Sequence, residues 1–331
     1  MRPELIARAA GLVTGAWVAQ AVSTAAALSV PDELARGPRP VTELAVAVGA
    51  DAGALYRLLR ALSGVGVVEE GEDRVFALTE LGELLTAGAL GGFAVMLGAP
   101  FHRRAWTDLE HSVRTGESAF ARLYGGFEHF GDHPGDGEVL NAGMTAASNL
   151  LLAPAVLAYD FTPFGAIVDV GGGHGALLAL ALSGHPSGRG VLFDLPHVIA
   201  TAGRPLREAG VAGRCELVAG DFFQRVPAGD AYLLANIVHD WDDERAVAIL
   251  SGCRAAMTDG GHVLLVEAVL PATRNEPHPA TLIDLEMLVM NRGGRQRTLG
   301  EHQRLLERAG LRLTREIRSE GTFSLLDAAA A

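Results

Sequence analysis

Ile167-Val168-Asp169-Val170-Gly171-Gly172-Gly173-His174-Gly175 is the stretch on which the reading of the fold turns. An apolar run ends in an acid and breaks into a glycine cluster, and Ala176-Leu177-Leu178-Ala179-Leu180-Ala181-Leu182 resumes at once with helix formers. The pattern is a strand, a tight turn and a helix start. Glycine suits such a turn because the backbone needs angles that a Cβ disfavours, and because a Cβ would keep a ligand off the main chain. The loop is read as the seat of a nucleotide-like cofactor.

Taken alone, the loop leaves the cofactor open. Gly171-x-Gly173-x-x-Ala176 satisfies the dinucleotide pattern, and Asp194 lies near the usual distance for an acid that binds ribose hydroxyls. Gly171-x-Gly173-x-Gly175 equally satisfies the shorter pattern of S-adenosylmethionine (SAM) enzymes.

Composition narrows the field. A chain of 331 residues suggests more than one domain, and 49% apolar content against 20% charged residues provides for a large core. The formal charge of −12 opposes nonspecific binding to nucleic acid or to an anionic membrane. All 27 basic residues are arginine. Without lysine there is no Walker A loop, no pyridoxal Schiff base and no lysine nucleophile. Cys215 and Cys253 are too few for a disulfide framework or a Cys-rich zinc site, and both are read as buried thiols. No secretory leader is read at the N-terminus and no apolar run of membrane-spanning length, so a cytoplasmic location is expected.

Outward from the loop, strands and helices alternate. Strands are predicted at Ile167–Val170, Gly190–Phe193, Cys215–Ala219, Ala231–Ile237 and His262–Leu270, with a last pair near Leu311–Ser319 and Phe323–Asp327. Alternation of this kind implies an α/β domain with a parallel doubly wound sheet, whose ligand lies at the C-terminal strand ends. Upstream, residues 4–30 read as one helix, too apolar for a solvated surface and therefore expected to pack on another chain. Helices at Val41–Val48 and Ala52–Ser63 and a hairpin of Val65–Glu70 with Arg74–Leu78 outline a winged helix. Residues 1–100 hold seven arginines against eleven acids, which disfavours a DNA reader and favours a dimerisation module. Residues 101–158 read as a helical segment contributing to an acceptor pocket, and 159–331 as the cofactor-binding catalytic domain. His129 and His133 flank Asp132 in a loop-like stretch, so no metal site is expected there.

The strand ends discriminate between cofactors. Asp194 closes the second strand and suits a ribose diol. Asp221-Phe222 follows the third; the acid can accept from an adenine amine while the ring packs on the base, and a dehydrogenase has no need of that acid. Asn236-Ile237-Val238-His239-Asp240-Trp241 follows the fourth, and Glu267 lies on the fifth. Methyl transfer to oxygen needs a deprotonated acceptor, for which a histidine such as His239 is a suitable general base, with Glu267 placed to hold the other imidazole nitrogen.

On these residues the chain resembles the small-molecule O-methyltransferases of plant secondary metabolism and of bacterial polyketide and antibiotic pathways. The resemblance rests on Val168–Gly175, Phe193-Asp194-Leu195-Pro196, Gly220-Asp221-Phe222-Phe223, His239-Asp240-Trp241-Asp242-Asp243-Glu244 and Gly293-Gly294-Arg295-Gln296-Arg297-Thr298. It implies a Rossmann-like class I methyltransferase domain with an N-terminal, mostly α winged-helix dimerisation domain, and a homodimer. It further implies SAM as cofactor, S-adenosylhomocysteine as product, no metal, and an aromatic small-molecule acceptor. Ser148, Gly171, Gly173, Asp194, Leu195, Asp221, Phe222 and Asn236 would contact the cofactor. His239, Asp240 and Glu267 would form the catalytic set, and Met144, Met287 and Asn291 would face the acceptor, with core packing the alternative for both methionines. Two departures stand out: the family's second bracketing acid is replaced by Gln296, and the lysine of plant members by Ala235. Rival readings are a SAM-binding member with other chemistry, a nicotinamide oxidoreductase and a winged-helix regulator.

Overall fold

The computed structural model describes residues 2–331, which divide into two units: residues up to Arg103 with Glu138–Ala147, and Arg104–Gly137 with Ser148–Ala331. In the first unit Asp51 caps the helix Ala52–Ser63, its carboxylate accepting from the Ala54 amide at 2.8 Å. Leu55, Leu59 and Leu62 on that helix meet Leu44 of the helix Val41–Val48, Val67 and Phe76 in one buried cluster. Three short strands, β1 (Arg39–Pro40), β2 (Val68–Glu70) and β3 (Val75–Leu78), pair antiparallel in the order β1-β3-β2. The outline is the winged helix expected.

The long first helix is shorter than the sequence reading. It runs Pro3–Ala27, and the chain turns at Ser29, whose φ is +57°, before a separate helix Val30–Leu34. Pro31 sits in the first turn of that second helix, where a residue without an N–H is tolerated. Most of Pro3–Ala27 lies open within this chain: Leu12, Val13 and Trp17 are 79%, 82% and 75% exposed. Pro3–Ala27, with a mean hydropathy of 1.4, and Pro134–Leu157, with 1.3, are long and apolar enough by length and composition to cross a membrane. This corrects the reading that no run approaches that length.

The second unit is built on seven strands: β4 (Ala166–Val170), β5 (Arg189–Asp194), β6 (Cys215–Ala219), β7 (Gly229–Ala235), β8 (Met257–Glu267), β9 (Leu311–Arg318) and β10 (Ser324–Ala330). Their order is β6-β5-β4-β7-β8-β10-β9. The five strands from β4 to β8 run parallel to one another, and β10 runs antiparallel to both β8 and β9. The sheet is therefore mixed rather than wholly parallel. Only five residues join β9 to β10, enough for a hairpin and too few for a parallel crossover. Helices such as Ala176–Ser183 and Asp243–Ala256 bury apolar residues of both sheet faces. Chain order reverses between β4 and β7, so a crevice opens beyond their C-terminal ends.

Two smaller corrections follow. Cys253 is buried, but Cys215 begins the edge strand β6 and is half-exposed. The stretch around Asp132 is helical (Glu128–Asp132), with His129 Nε2 2.7 Å from the Asp136 carboxylate. Among the described residues no group of three or more His, Cys, Asp or Glu is arranged to hold a metal ion.

The open apolar face of Pro3–Ala27 has a direct test. The double variant V13E/W17E is expected to sediment as a single chain of 34.6 kDa, while the parent sediments at twice that mass. A monomeric parent would show that this face does not pair.

Candidate active site

The glycine loop leaves β4 with Gly171, Gly173 and Gly175 at φ of +67°, +56° and +85°, backbone that favours glycine. A Cβ on Gly171 would come within 2.5 Å of Ile237, whereas one on Gly173 would point into open space. Asp194, at the end of β5, reaches back to this loop. Its Oδ2 accepts from the Gly173 amide at 2.8 Å and its Oδ1 from the Leu195 amide at 2.7 Å. Asp169 lies beneath the loop with Oδ2 buried and without a hydrogen-bond partner. Burial, and then the charge of Asp194, push its carboxyl up to about 7. Burial also raises Asp194, against the two amides that stabilise its charge.

Beyond β6, Asp221 Oδ1 accepts from the Phe223 amide at 2.8 Å. Phe222 stands edge-on to Phe223 and to Trp241, with ring centres 4.9 and 5.9 Å apart, and within reach of Gly171. Arg245 lies over the Trp241 ring at 5.3 Å. The half-buried Ser148 opens a turn, Ser148–Leu152, that packs on the helix Ala176–Ser183. Asn236 adopts φ +55°, and its buried Oδ1 has no partner. An open cradle, an acid bound to its rim, an aromatic wall and orphaned buried oxygens fit a nucleoside cofactor with an amino-acid tail.

β7 ends at Ala235, and a single helical turn, Val238–Asp240, then carries His239. β8 ends at Glu267, next to Val266, whose partner across the parallel ladder is Ala235, and this register brings the carboxylate under the turn. Glu267 Oε1 accepts from the amides of Val238 at 2.9 Å and His239 at 3.3 Å, while Oε2 stands 2.9 Å from His239 Nδ1. Gln296 Nε2 is also 2.9 Å from Nδ1. The two partners suit different protonation states: an amide N–H needs a bare Nδ1, a carboxylate a protonated one. A buried ionised carboxylate favours the proton, and a Gln296 amide turned so that its oxygen faces the ring would let both side chains accept from one N–H.

The ring's other nitrogen, Nε2, is 3.4 Å from Asp240 Oδ1. Burial pulls the His239 pKa down, but the charges of Glu267 and Asp240 outweigh it and lift it to about 9. Burial opposes ionisation of Glu267, yet His239 holds its pKa below the ordinary value. Asp240 is raised to about 6, by burial first and by Glu267. Asn291 donates to Asp240 Oδ1 at 2.6 Å and contacts Met287 Sδ at 3.1 Å.

The fold thus draws His239, Asp240, Glu267, Asn291 and Met287 into one bonded cluster, and gathers Gly171, Gly173, Asp194, Leu195 and Phe222 around the glycine loop. Met144 belongs to the other unit, half-buried in the helix Pro134–Ala147. Three residues carry no role in the sequence reading: Asp169, Asp284, which accepts from the Gln296 backbone amide at 2.8 Å, and Arg297. Nothing in the sequence separates Arg297 from Arg295; burial does, with side chains 0% and 40% exposed.

A parallel-centred sheet with a glycine loop at its switch point and acids at successive strand ends defines a Rossmann-like class I methyltransferase. The O-methyltransferase domain family matches residues 106–312 and the O-methyltransferase dimerisation domain residues 10–88, so the chain belongs to the O-methyltransferase family and is a SAM-dependent O-methyltransferase. It is 41% identical over 323 residues to a phenazine O-methyltransferase of Lysobacter antibioticus, covering 96% of this chain and 94% of that one. The solved structure of LaPhzM superposes with a TM-score of 0.92 at 40% identity, over 99% of both chains. An O-methyltransferase from neocarzinostatin biosynthesis, solved with SAM and 2-hydroxy-5-methyl naphthoic acid, superposes at 0.76 with 36% identity, over 95% of this chain and 96% of that one.

If Glu267 sets the protonation of His239, E267Q should lower the histidine's titration midpoint from about 9 toward the ordinary 6.5, as read by NMR of ¹³C-labelled histidine. An unmoved midpoint would assign the shift to another group.

Proposed function

We propose that this enzyme methylates a phenolic hydroxyl of an aromatic secondary metabolite, with His239 as the general base. The observation that carries the reading is the buried Glu267 carboxylate 2.9 Å from Nδ1, which fixes the proton on that nitrogen and leaves Nε2 as the basic one. SAM supplies, when bound, an electrophilic methyl carbon on a sulfonium. Asp194 would hold the ribose hydroxyls, Asp221 and Phe222 the adenine, and Gly171, Gly173, Ser148, Leu195 and Asn236 the remaining contacts. Met287 and Asn291 would face the acceptor.

The proton of the acceptor hydroxyl passes to His239 Nε2, and the resulting imidazolium is balanced by Glu267 on one side and Asp240 on the other. Gln296 orients the ring without adding a charge. Residues 1–100 would pair two copies, and residues 159–331 would form the catalytic domain. The net charge of −12 opposes nonspecific engagement of nucleic acid or an anionic membrane.

Mass spectrometry after incubation with SAM and either a hydroxyphenazine or 2-hydroxy-5-methyl naphthoic acid would show gain of one methyl on oxygen. H239A is expected to lose about 10²–10⁴-fold in kcat while its SAM affinity, measured by calorimetry, holds. D221A should weaken SAM binding by about tenfold or more. Undiminished turnover in H239A would remove the base.

The raised pKa gives the sign of the pH dependence. His239 is protonated at neutral pH before ligands bind, so kcat/KM should climb with pH toward about 9 as the free base appears. The same shift stabilises the fold fully below pH 6.5, and that contribution is lost as pH rises through about 9. A flat rate profile over this window would contradict a base of this pKa.

A further inference from the structure

A guanidinium carries five N–H donors and tolerates full burial only when they are met. In Arg297 they are. Nε donates to Asp243 Oδ1 at 3.0 Å, and Nη2 to the same oxygen and to the Trp241 carbonyl, both at 2.8 Å. Nη1 donates to the Val238 carbonyl at 3.0 Å and to the Arg295 carbonyl at 3.4 Å. The carbonyls of Val238 and Trp241 bracket His239 and Asp240. The intervening His239 carbonyl accepts from the Arg295 amide at 2.8 Å. Gly294 lets this backbone approach, since a Cβ there would lie 2.8 Å from the His239 oxygen and 3.0 Å from that of Asp240. Asp243, the other anchor, opens the helix that follows the turn.

We propose that Arg297 is a positioning residue for His239: its fork ties both ends of the Val238–Trp241 turn to the helix Asp243–Ala256 and so holds the imidazole against Glu267. A single ammonium could not reach both carbonyls and the carboxylate in fixed geometry. The link to turnover rests on the reading of His239 as base, but the geometry of the turn does not, so the two can be tested apart.

The charged and titratable groups facing His239 are Glu267 from β8, Asp240 from its own turn, Arg297, and the buried His302 from the helix Leu299–Arg308. Among these Arg297 is a cation, and its charge depresses the His239 pKa. Removing the charge alone would raise the midpoint. Loosening the ring from Glu267 and Asp240 would lower it. The sign therefore separates positioning from simple electrostatics.

The probe is ¹³C-histidine NMR of the full chain with S-adenosylhomocysteine, the His239 signal being assigned by its loss in H239N. R297M is expected to lower the midpoint by about one pH unit or more, equivalent to about tenfold in the proton equilibrium. D243N, which removes the fork's anchor, and R297K should lower it by less. Affinity for S-adenosylhomocysteine should stay within about threefold. If R297M does not unfold cooperatively, R297K and D243N decide by the same sign. A midpoint that rises or does not move overturns the proposal, as does loss of S-adenosylhomocysteine binding in step with the midpoint. With an active acceptor, R297M should lose about tenfold or more in kcat with KM for SAM within threefold; a lowered midpoint with unchanged kcat supports the positioning role and counts against the base.

Discussion

Glu267 is an ionised carboxylate with no exposure to water, and the C-terminal ends of β7 and β8 are arranged around that fact. Such a charge is expensive unless it is paired and hydrogen-bonded. Here two backbone amides and an imidazole surround it, and all three come from the chain that leaves β7. Solvating Glu267 and placing His239 are therefore one structural event. The neighbouring acid, the half-buried Asp240, completes a cluster in which a histidine gains basicity from negative charge on two sides.

The brace behind this cluster comes from a distant part of the chain. Residues 291–298 lie over the turn closely enough that Gly294 must be glycine, and they bring Gln296 to the ring while Arg297 grips the carbonyls on either side. The Thr298–Glu301 capping box starts the next helix at once, and Arg295 pairs with Glu301 at 2.8 Å. One continuous segment thus ends a backbone brace, positions two side chains and begins a core helix. Gln296 puts a neutral hydrogen-bonding group at Nδ1 and leaves the charge to Glu267 and Asp240.

Much of this was legible in local patterns. Strand positions were read to within a few residues because the apolar runs of a buried parallel sheet, broken by glycine and acid, are strong one-dimensional signals. Chemistry at the strand ends was legible for a related reason: in an open α/β sheet the crevice collects those ends, so Asp194, Asp221, His239 and Glu267 follow one another in chain order. The reversed direction of β10 was less visible, since its short link to β9 competes with the β/α alternation that precedes it. The glycine in Glu128–Asp132 and the proline that follows read as loop, and neither residue reports that His129 has an acid partner seven residues on.

What the sequence determined by itself was the parallel core of the sheet, the glycine loop after its first strand and the identity of the titratable groups at the strand ends, because each depends on residues adjacent in the chain. Tertiary structure alone decided how those groups are charged and held. Burial of Glu267, the 2.9 Å separation from Nδ1, and the selection of Arg297 over Arg295 as the inner arginine all depend on segments far apart in sequence meeting in a low-dielectric interior. Desolvation has no signature in a string of residues, and neither does the approach of Glu267 and Asp240 to His239, whose charges outweigh burial and raise its pKa.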